Sequence, residues 1–90
     1  MIYTIPAKTQ AENPESSLRR AGSDLWFSGL GIDWQDFLVK QVELCAHQYQ
    51  IPMDRAALAV LRVYQAIVIA DPSVKEANPW KLDGAFPSAA

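Results

Sequence analysis

The stretch that decides the fold runs from Asp54 to Ala70 and reads DRAALAVLRVYQAIVIA. Beyond its first two residues only Arg62 and Gln65 are strongly polar, and neither Gly nor Pro interrupts the run. Pro72 follows closely and disfavours helical geometry in the residue before it, so the run has a defined end. The stretch is much longer than a typical strand. It therefore predicts a central helix, over residues 54–70, that other protein covers on most sides.

A second helix is predicted over residues 34–50. Asp33 is suited to the N-cap position, and Asp36 adds negative charge to the first turn, which is a weak form of the capping box. Apolar side chains recur at steps of three and four in one stripe, formed by Trp34, Leu38, Val42, Cys45 and Tyr49. Phe37 and Leu44 form a second stripe. Two apolar faces on one helix predict contact with two different neighbours.

A first helix is predicted over residues 14–28. Asn13 can cap its N-terminus, and Pro14 suits the first helical position. Gly22-Ser23 weakens the middle of this helix and allows a second start at Ser23. An apolar stripe at helical spacing is formed by Leu18, Ala21 and Leu25.

Together these segments predict a small all-α domain with three helices, arranged as an orthogonal or antiparallel bundle. The helical domain would cover residues 13–78. Residues 1–12 would form an extended N-terminal arm, because Ile2-Tyr3-Thr4-Ile5 favours an extended backbone. Residues 79–90 would form an irregular C-terminal tail rich in aromatic and apolar side chains.

Composition restricts the class of protein. Ninety residues make one small domain whose core is marginal unless oligomerisation adds to it. Cys45 is the sole cysteine, which excludes an internal disulfide and indicates a reducing compartment. The net charge of −2 and the acidic pI near 5.1 give no field that concentrates polyanions. No signal-peptide pattern begins the chain, and the central apolar run is too short for a bilayer span. We expect a small acidic cytoplasmic protein without a membrane contact.

No catalytic site is expected. Cys45 and His47 are two positions apart and point to opposite sides of a helix, so they cannot form a nucleophile–base pair. Glu43 and His47 lie one turn apart, but two ligands are fewer than a metal site requires. A metal borrowed across an interface at these two residues is a third, catalytic hypothesis. No phosphate-binding loop occurs, and we expect no cofactor, no metal and no enzymatic activity.

A helix, a short connector and a second helix also describe a DNA-binding unit. The second helix of such a unit presents polar and basic side chains to DNA, whereas here it is the most apolar part of the chain. This argues against nucleic acid as the partner. The alternative function is a small dimeric helix-turn-helix-like regulator whose basic face is formed by Arg19, Arg20, Arg55 and Arg62.

The preferred hypothesis is a non-enzymatic protein–protein interaction module. The third predicted helix, over residues 54–70, has two apolar stripes, formed by Ala57, Leu61, Tyr64 and Val68 and by Ala56, Val60, Val63 and Ile67. Leu58 and Ile69 fall outside both stripes, and nothing else in the sequence obviously covers them. The tail contributes three more large apolar side chains, Trp80, Leu82 and Phe86. Either the tail folds back over Leu58 and Ile69, or it anchors another protein. The five residues predict an interface for an accessory subunit, adaptor or inhibitor, whose partner is another protein or a second copy in a homodimer.

Overall fold

The structure is a computed structural model that describes residues 13–81. It contains four α-helices, namely α1 (Pro14–Gly22), α2 (Asp24–Ser28), α3 (Ile32–Tyr49) and α4 (Met53–Ala70). Two 3₁₀ turns follow, at Pro72–Glu76 and Pro79–Lys81. The prediction of a small all-α domain is confirmed. The arm predicted for residues 1–12 lies outside the described residues, as do residues 82–90 of the predicted tail.

The first predicted helix is two helices. Its start is confirmed, since the Asn13 side chain accepts hydrogen bonds from the backbone N–H groups of Glu15, at 2.8 Å, and Ser16, at 3.2 Å. Ser23 then has a φ of 132°, which ends α1. The Ser23 hydroxyl accepts a hydrogen bond from the backbone N–H of Trp26 at 3.0 Å and so caps α2. The break at Gly22-Ser23 therefore changes the direction of the chain.

The start of α3 differs from the prediction. The helix begins at Ile32, and Gly31 is the N-cap with an extended backbone. Asp33 is therefore not the cap but already a residue of the first turn, where its negative charge opposes the positive end of the helix dipole. At the other end Gln50 has left-handed geometry, with a φ of 56°, and its backbone N–H donates to the carbonyl of Ala46.

The core lies between the buried side of α4 and the helices α1 and α3. The predicted stripe of α3 is confirmed for its four buried members, Trp34, Leu38, Val42 and Cys45. Tyr49 was predicted to join them but is half exposed, because it is the last residue of α3, where the chain leaves the helix for the connector to α4. The buried side of α4 is formed by Ala56, Ala57, Val60, Leu61 and Tyr64.

Contacts at the two ends of α4 define the directions of its neighbours. Ser17 of α1 meets Asp54 at the start of α4, and Trp26 of α2 meets Tyr64 near its end. The segment formed by α1 and α2 therefore runs parallel to α4. Trp34, in the first turn of α3, also meets Tyr64, so α3 runs antiparallel to α4. The short connector between α3 and α4 agrees with this arrangement.

A polar contact joins α1 to the first turn of α4. The buried Ser17 hydroxyl donates to Asp54 Oδ1 at 2.7 Å, and Arg20 Nη2 donates to the same oxygen at 2.7 Å. The Ser17 hydrogen bond, with the smaller contribution of Arg20, holds the pKa of Asp54 below its usual value. The carboxylate thus sets how α1 is positioned along α4.

We expect Asp54→Asn to lower the free energy of unfolding by about 0.5 kcal/mol at neutral pH, because Ser17 and Arg20 lose a charged acceptor whose exposure to solvent weakens the contact. The pKa of Asp54 is lower in the folded than in the unfolded chain. Its stabilising contribution is therefore complete above about pH 4 and is lost as pH falls through the folded-state pKa. In urea unfolding followed by tryptophan fluorescence, the difference between wild type and variant should shrink below about pH 4. An undiminished difference at lower pH would contradict this.

Gly22 is required by the packing of Trp26 behind it. A Cβ atom at Gly22 would collide with the Trp26 indole. We therefore expect Gly22→Ala to lower the free energy of unfolding by about 1–3 kcal/mol, as overpacked sites do. Gly29→Ala is the matched control, because its backbone is helical and a Cβ atom there comes no closer than 3.4 Å to a neighbour, and its effect should stay within about 0.5 kcal/mol. Equal effects of the two substitutions in urea unfolding would refute this role of Gly22.

Candidate docking surface

One side of α4 is exposed along the whole helix. The sequence predicted that other protein covers α4 on most sides, whereas the described residues cover it on one side. Leu58 is 40% exposed and Ile69 is 81% exposed, so residues 13–81 cover Leu58 only in part and leave Ile69 largely open. We call this exposed side the α4 strip, and its members are Arg55, Leu58, Ala59, Arg62, Gln65 and Ile69.

The α4 strip is concave at both ends. A depression of about 370 Å³ is lined by Arg55, Leu58, Ala59 and Arg62. A larger groove, of about 660 Å³, lies at the other end between α2 and α4. We call it the α2–α4 groove, and its large apolar lining residues are Leu25, Trp26, Leu30, Tyr64, Val68 and Ile69. Gln65 and Ile69 belong to both the strip and the groove, so the two surfaces are continuous.

Leu25 is the residue that the sequence pattern misplaced. Its spacing from Leu18 predicted a shared buried stripe, but Leu18 is fully buried and Leu25 is 86% exposed. The positive φ of Ser23 explains the difference, because the break changes the phase between the two helices. Leu25 consequently forms the wall of the α2–α4 groove opposite Ile69. The weak point at Gly22-Ser23 was the one sequence signal for this outcome.

Trp80 lies apart from the other predicted interface residues. Its ring packs edge-on against Phe37 of α3, with ring centroids 5.0 Å apart, and it is 52% exposed. Pro79 beside it is buried. The structure therefore brings Leu58 and Ile69 together on α4 and places Trp80 on α3, outside the strip and the groove. Leu82 and Phe86 lie outside the described residues, and their part in an interface stays a prediction.

Aromatic side chains connect the floor of the groove to the Trp80 site. Tyr64 contacts Trp26 at a centroid distance of 6.0 Å and Trp34 at 5.0 Å. Trp34 in turn contacts Phe37 at 5.7 Å, and Phe37 contacts Trp80. Trp34 is a core residue, whereas Trp26 is partly exposed at the groove. The groove is thus built on rigid, close-packed rings.

The catalytic candidates are separated in the structure. Cys45 is buried, and burial raises the pKa of its thiol, whereas His47 and Glu43 are exposed on the other side of α3. Among residues 13–81 no three metal-binding side chains form a cluster. Within the same range, no helix has both the length and the apolar character needed to cross a bilayer.

Comparison with known proteins identifies no relative of this chain. The chain matches no protein-family model, no curated protein and no solved structure. Any function must therefore be argued from the surface described above.

We expect the exposed apolar residues of this surface to be dispensable for folding. Ile69→Ser and Leu25→Ser should each change the free energy of unfolding by less than about 0.5 kcal/mol, because neither side chain is enclosed. Leu61→Ala, on the buried side of the same helix, should cost about 2–5 kcal/mol. Chemical denaturation of the three variants measures the contrast. A loss at Ile69 as large as that at Leu61 would mean that Ile69 supports the fold of the chain.

Proposed function

We propose that this chain is a non-enzymatic protein–protein interaction module, an accessory subunit, adaptor or inhibitor that docks through the α4 strip and the α2–α4 groove. The observation that carries the proposal is the exposure of Leu25, Leu58 and Ile69. Leu58 lines the depression at one end of the α4 strip, and Leu25 and Ile69 line the α2–α4 groove at its other end. Full burial of such side chains contributes about 1.5–3 kcal/mol each. Three of them on a rigid surface are sufficient for the centre of a protein interface.

The separation of these residues from the core supports the proposal. The buried side of α4 already packs against α1 and α3, so the fold does not require the strip to be apolar. Large apolar side chains exposed at two depressions on one side of a small protein are typical of interaction sites. Trp80 provides a second, smaller apolar contact on α3, which a partner large enough to extend across the molecule would cover.

The alternative, a nucleic-acid-associated regulator, has weaker support. Two of the four arginines proposed for its basic face are in ion pairs within the chain. Arg19 binds Glu15 at 3.0 Å and Asp24 at 3.3 Å, and Arg20 binds Asp54 at 2.7 Å. Arg55 and Arg62 make no ion pair with any residue in 13–81. They lie among apolar residues, which suits a protein partner better than a phosphate backbone.

Site-specific photo-crosslinking tests the proposal in cells that make the protein. A photoreactive phenylalanine analogue at Leu58 or at Ile69 should give the same light-dependent adduct, because one partner covers both positions. The matched control is the analogue at Lys40, which is exposed on α3. It should not give that adduct. An adduct of twice the chain mass would identify a second copy as the partner.

A second variant excludes incidental capture. Ile69→Asp, combined with the analogue at Leu58, should abolish the adduct by placing a charge in the interface. Circular dichroism of the same variant checks that the helices are intact. The proposal is wrong if no adduct forms at either position, or if the Lys40 control gives the same adduct in equal yield.

A further inference from the structure

We infer that the occupant of the α4 strip is an acidic amphipathic α-helix of a partner protein; this inference rests on the proposed function and specifies its partner. The first observation is the charge of the surface. Arg55 and Arg62 lie on the strip, and Lys75 lines the groove at its far end. Arg20 adjoins Leu58 in a third depression, beside Asp54. Asp54 is the one carboxylate that lines these three depressions, and Ser17 and Arg20 already bind it.

The basic character of the strip is a local property. The chain as a whole has a net charge of −2. Asp33, Asp36 and Glu43 are exposed on α3, which packs against the buried side of α4. The α4 strip is therefore basic and apolar, whereas the exposed side of α3 has these three carboxylates and one lysine, Lys40. A partner with acidic groups around apolar anchors is complementary to the first surface in both respects.

A second copy docked through the same strip is disfavoured by this charge. In a two-fold dimer both copies use the same patch, and the two strips run in opposite directions. A residue near the middle of one strip therefore faces the same residue of the other copy. Arg62 lies near the middle of the strip and would face its symmetry mate. Like charges in direct opposition destabilise an interface. The strip is thus suited to a partner that differs from this chain.

The dimensions of the surface are suited to a helix. At 1.5 Å per residue, the distance along α4 from Asp54 to Ile69 is about 22 Å, which matches an opposing helix of about 15 residues. Apolar side chains about three turns apart on that helix would contact Leu58 and enter the groove beside Leu25 and Ile69. Acidic side chains on its flanks would approach Arg55 and Arg62. A flat lipid surface cannot fill the groove, and a nucleic acid backbone offers no apolar anchors.

Two synthetic peptides test the charge preference. Each is a helix of about 16 residues with the same leucine stripe, one flanked by Glu and the other by Lys. Fluorescence anisotropy measures their binding to the full chain. The Glu peptide should bind at least about tenfold more tightly than the Lys peptide, with the difference diminishing at high salt. The double variant Arg55→Glu/Arg62→Glu should reverse the preference.

Control variants separate charge from apolar contact. Lys40→Glu reverses one charge outside the strip, which is half of the change in the double variant, and should leave both affinities unchanged. Ile69→Ser should weaken both peptides while retaining the preference for Glu. Arg55, Arg62 and Lys40 are exposed, so circular dichroism of these variants should match the wild type.

Several results would overturn the inference. These are equal affinity for the two peptides, no binding of either, and a preference that survives the double charge reversal. The strip would belong to another class of partner if duplex DNA or phosphatidylserine vesicles bound to the wild-type chain, the Glu peptide did not, and the double variant lost this binding. Photo-crosslinks at Leu58 and Ile69 without a Glu preference would refute this inference and retain the proposed function. Absence of those crosslinks would refute both this inference and the proposed function.

Discussion

The rest of the structure depends on the packing of one side chain, Tyr64. Its ring lies against Trp26 of α2 on one side and Trp34 of α3 on the other, at centroid distances of 6.0 and 5.0 Å. One residue of α4 therefore fixes both neighbouring segments at the same level of the bundle. Burial raises the pKa of the Tyr64 hydroxyl, in keeping with this position in the core. At the other end of α4, Asp54 has the corresponding role through Ser17 and Arg20.

This packing also creates the surface through which we propose the chain acts. Tyr64 is a core aromatic, Trp26 packs against it, and both line the α2–α4 groove. Because Tyr64 is also in contact with Trp34 of α3, the groove exists before any partner binds. A preformed site loses little conformational entropy on binding, so exposed residues such as Leu25 and Ile69 can contribute most of their burial energy to association. Tyr64 thus belongs both to the core and to the proposed interface.

The basic and apolar characters of the α4 strip have different consequences for a partner. In the proposed complex, Leu58 and Ile69 would determine affinity, because binding would remove their apolar surface from water. Arg55 and Arg62 would contribute orientation and selectivity, because exposed charges steer association and penalise mismatched partners. A small domain with a marginal core can use such a surface without risk to its fold, because the strip takes no part in the core.

The sequence by itself determined the helical class, the extent of α4 to within one residue, the capped start of α1 and four of the five residues in the α3 stripe. Each follows from local chemistry: helical periodicity, an Asn-Pro start and breakers at the ends. It also identified Leu58 and Ile69 as residues outside the buried side of α4, which holds within residues 13–81. Only the tertiary structure decided that Leu25 joins them and that Trp80 packs on Phe37. The start of α3 at Ile32 was missed as well, because Gly31 supplied the cap geometry without a side-chain signal. The placement of α2 after Ser23 depends on the contact of Trp26 with Tyr64, and the placement of the Pro79–Lys81 turn depends on the contact of Trp80 with Phe37. These residues are far apart in the chain, and periodicity within one segment carries no information about such contacts.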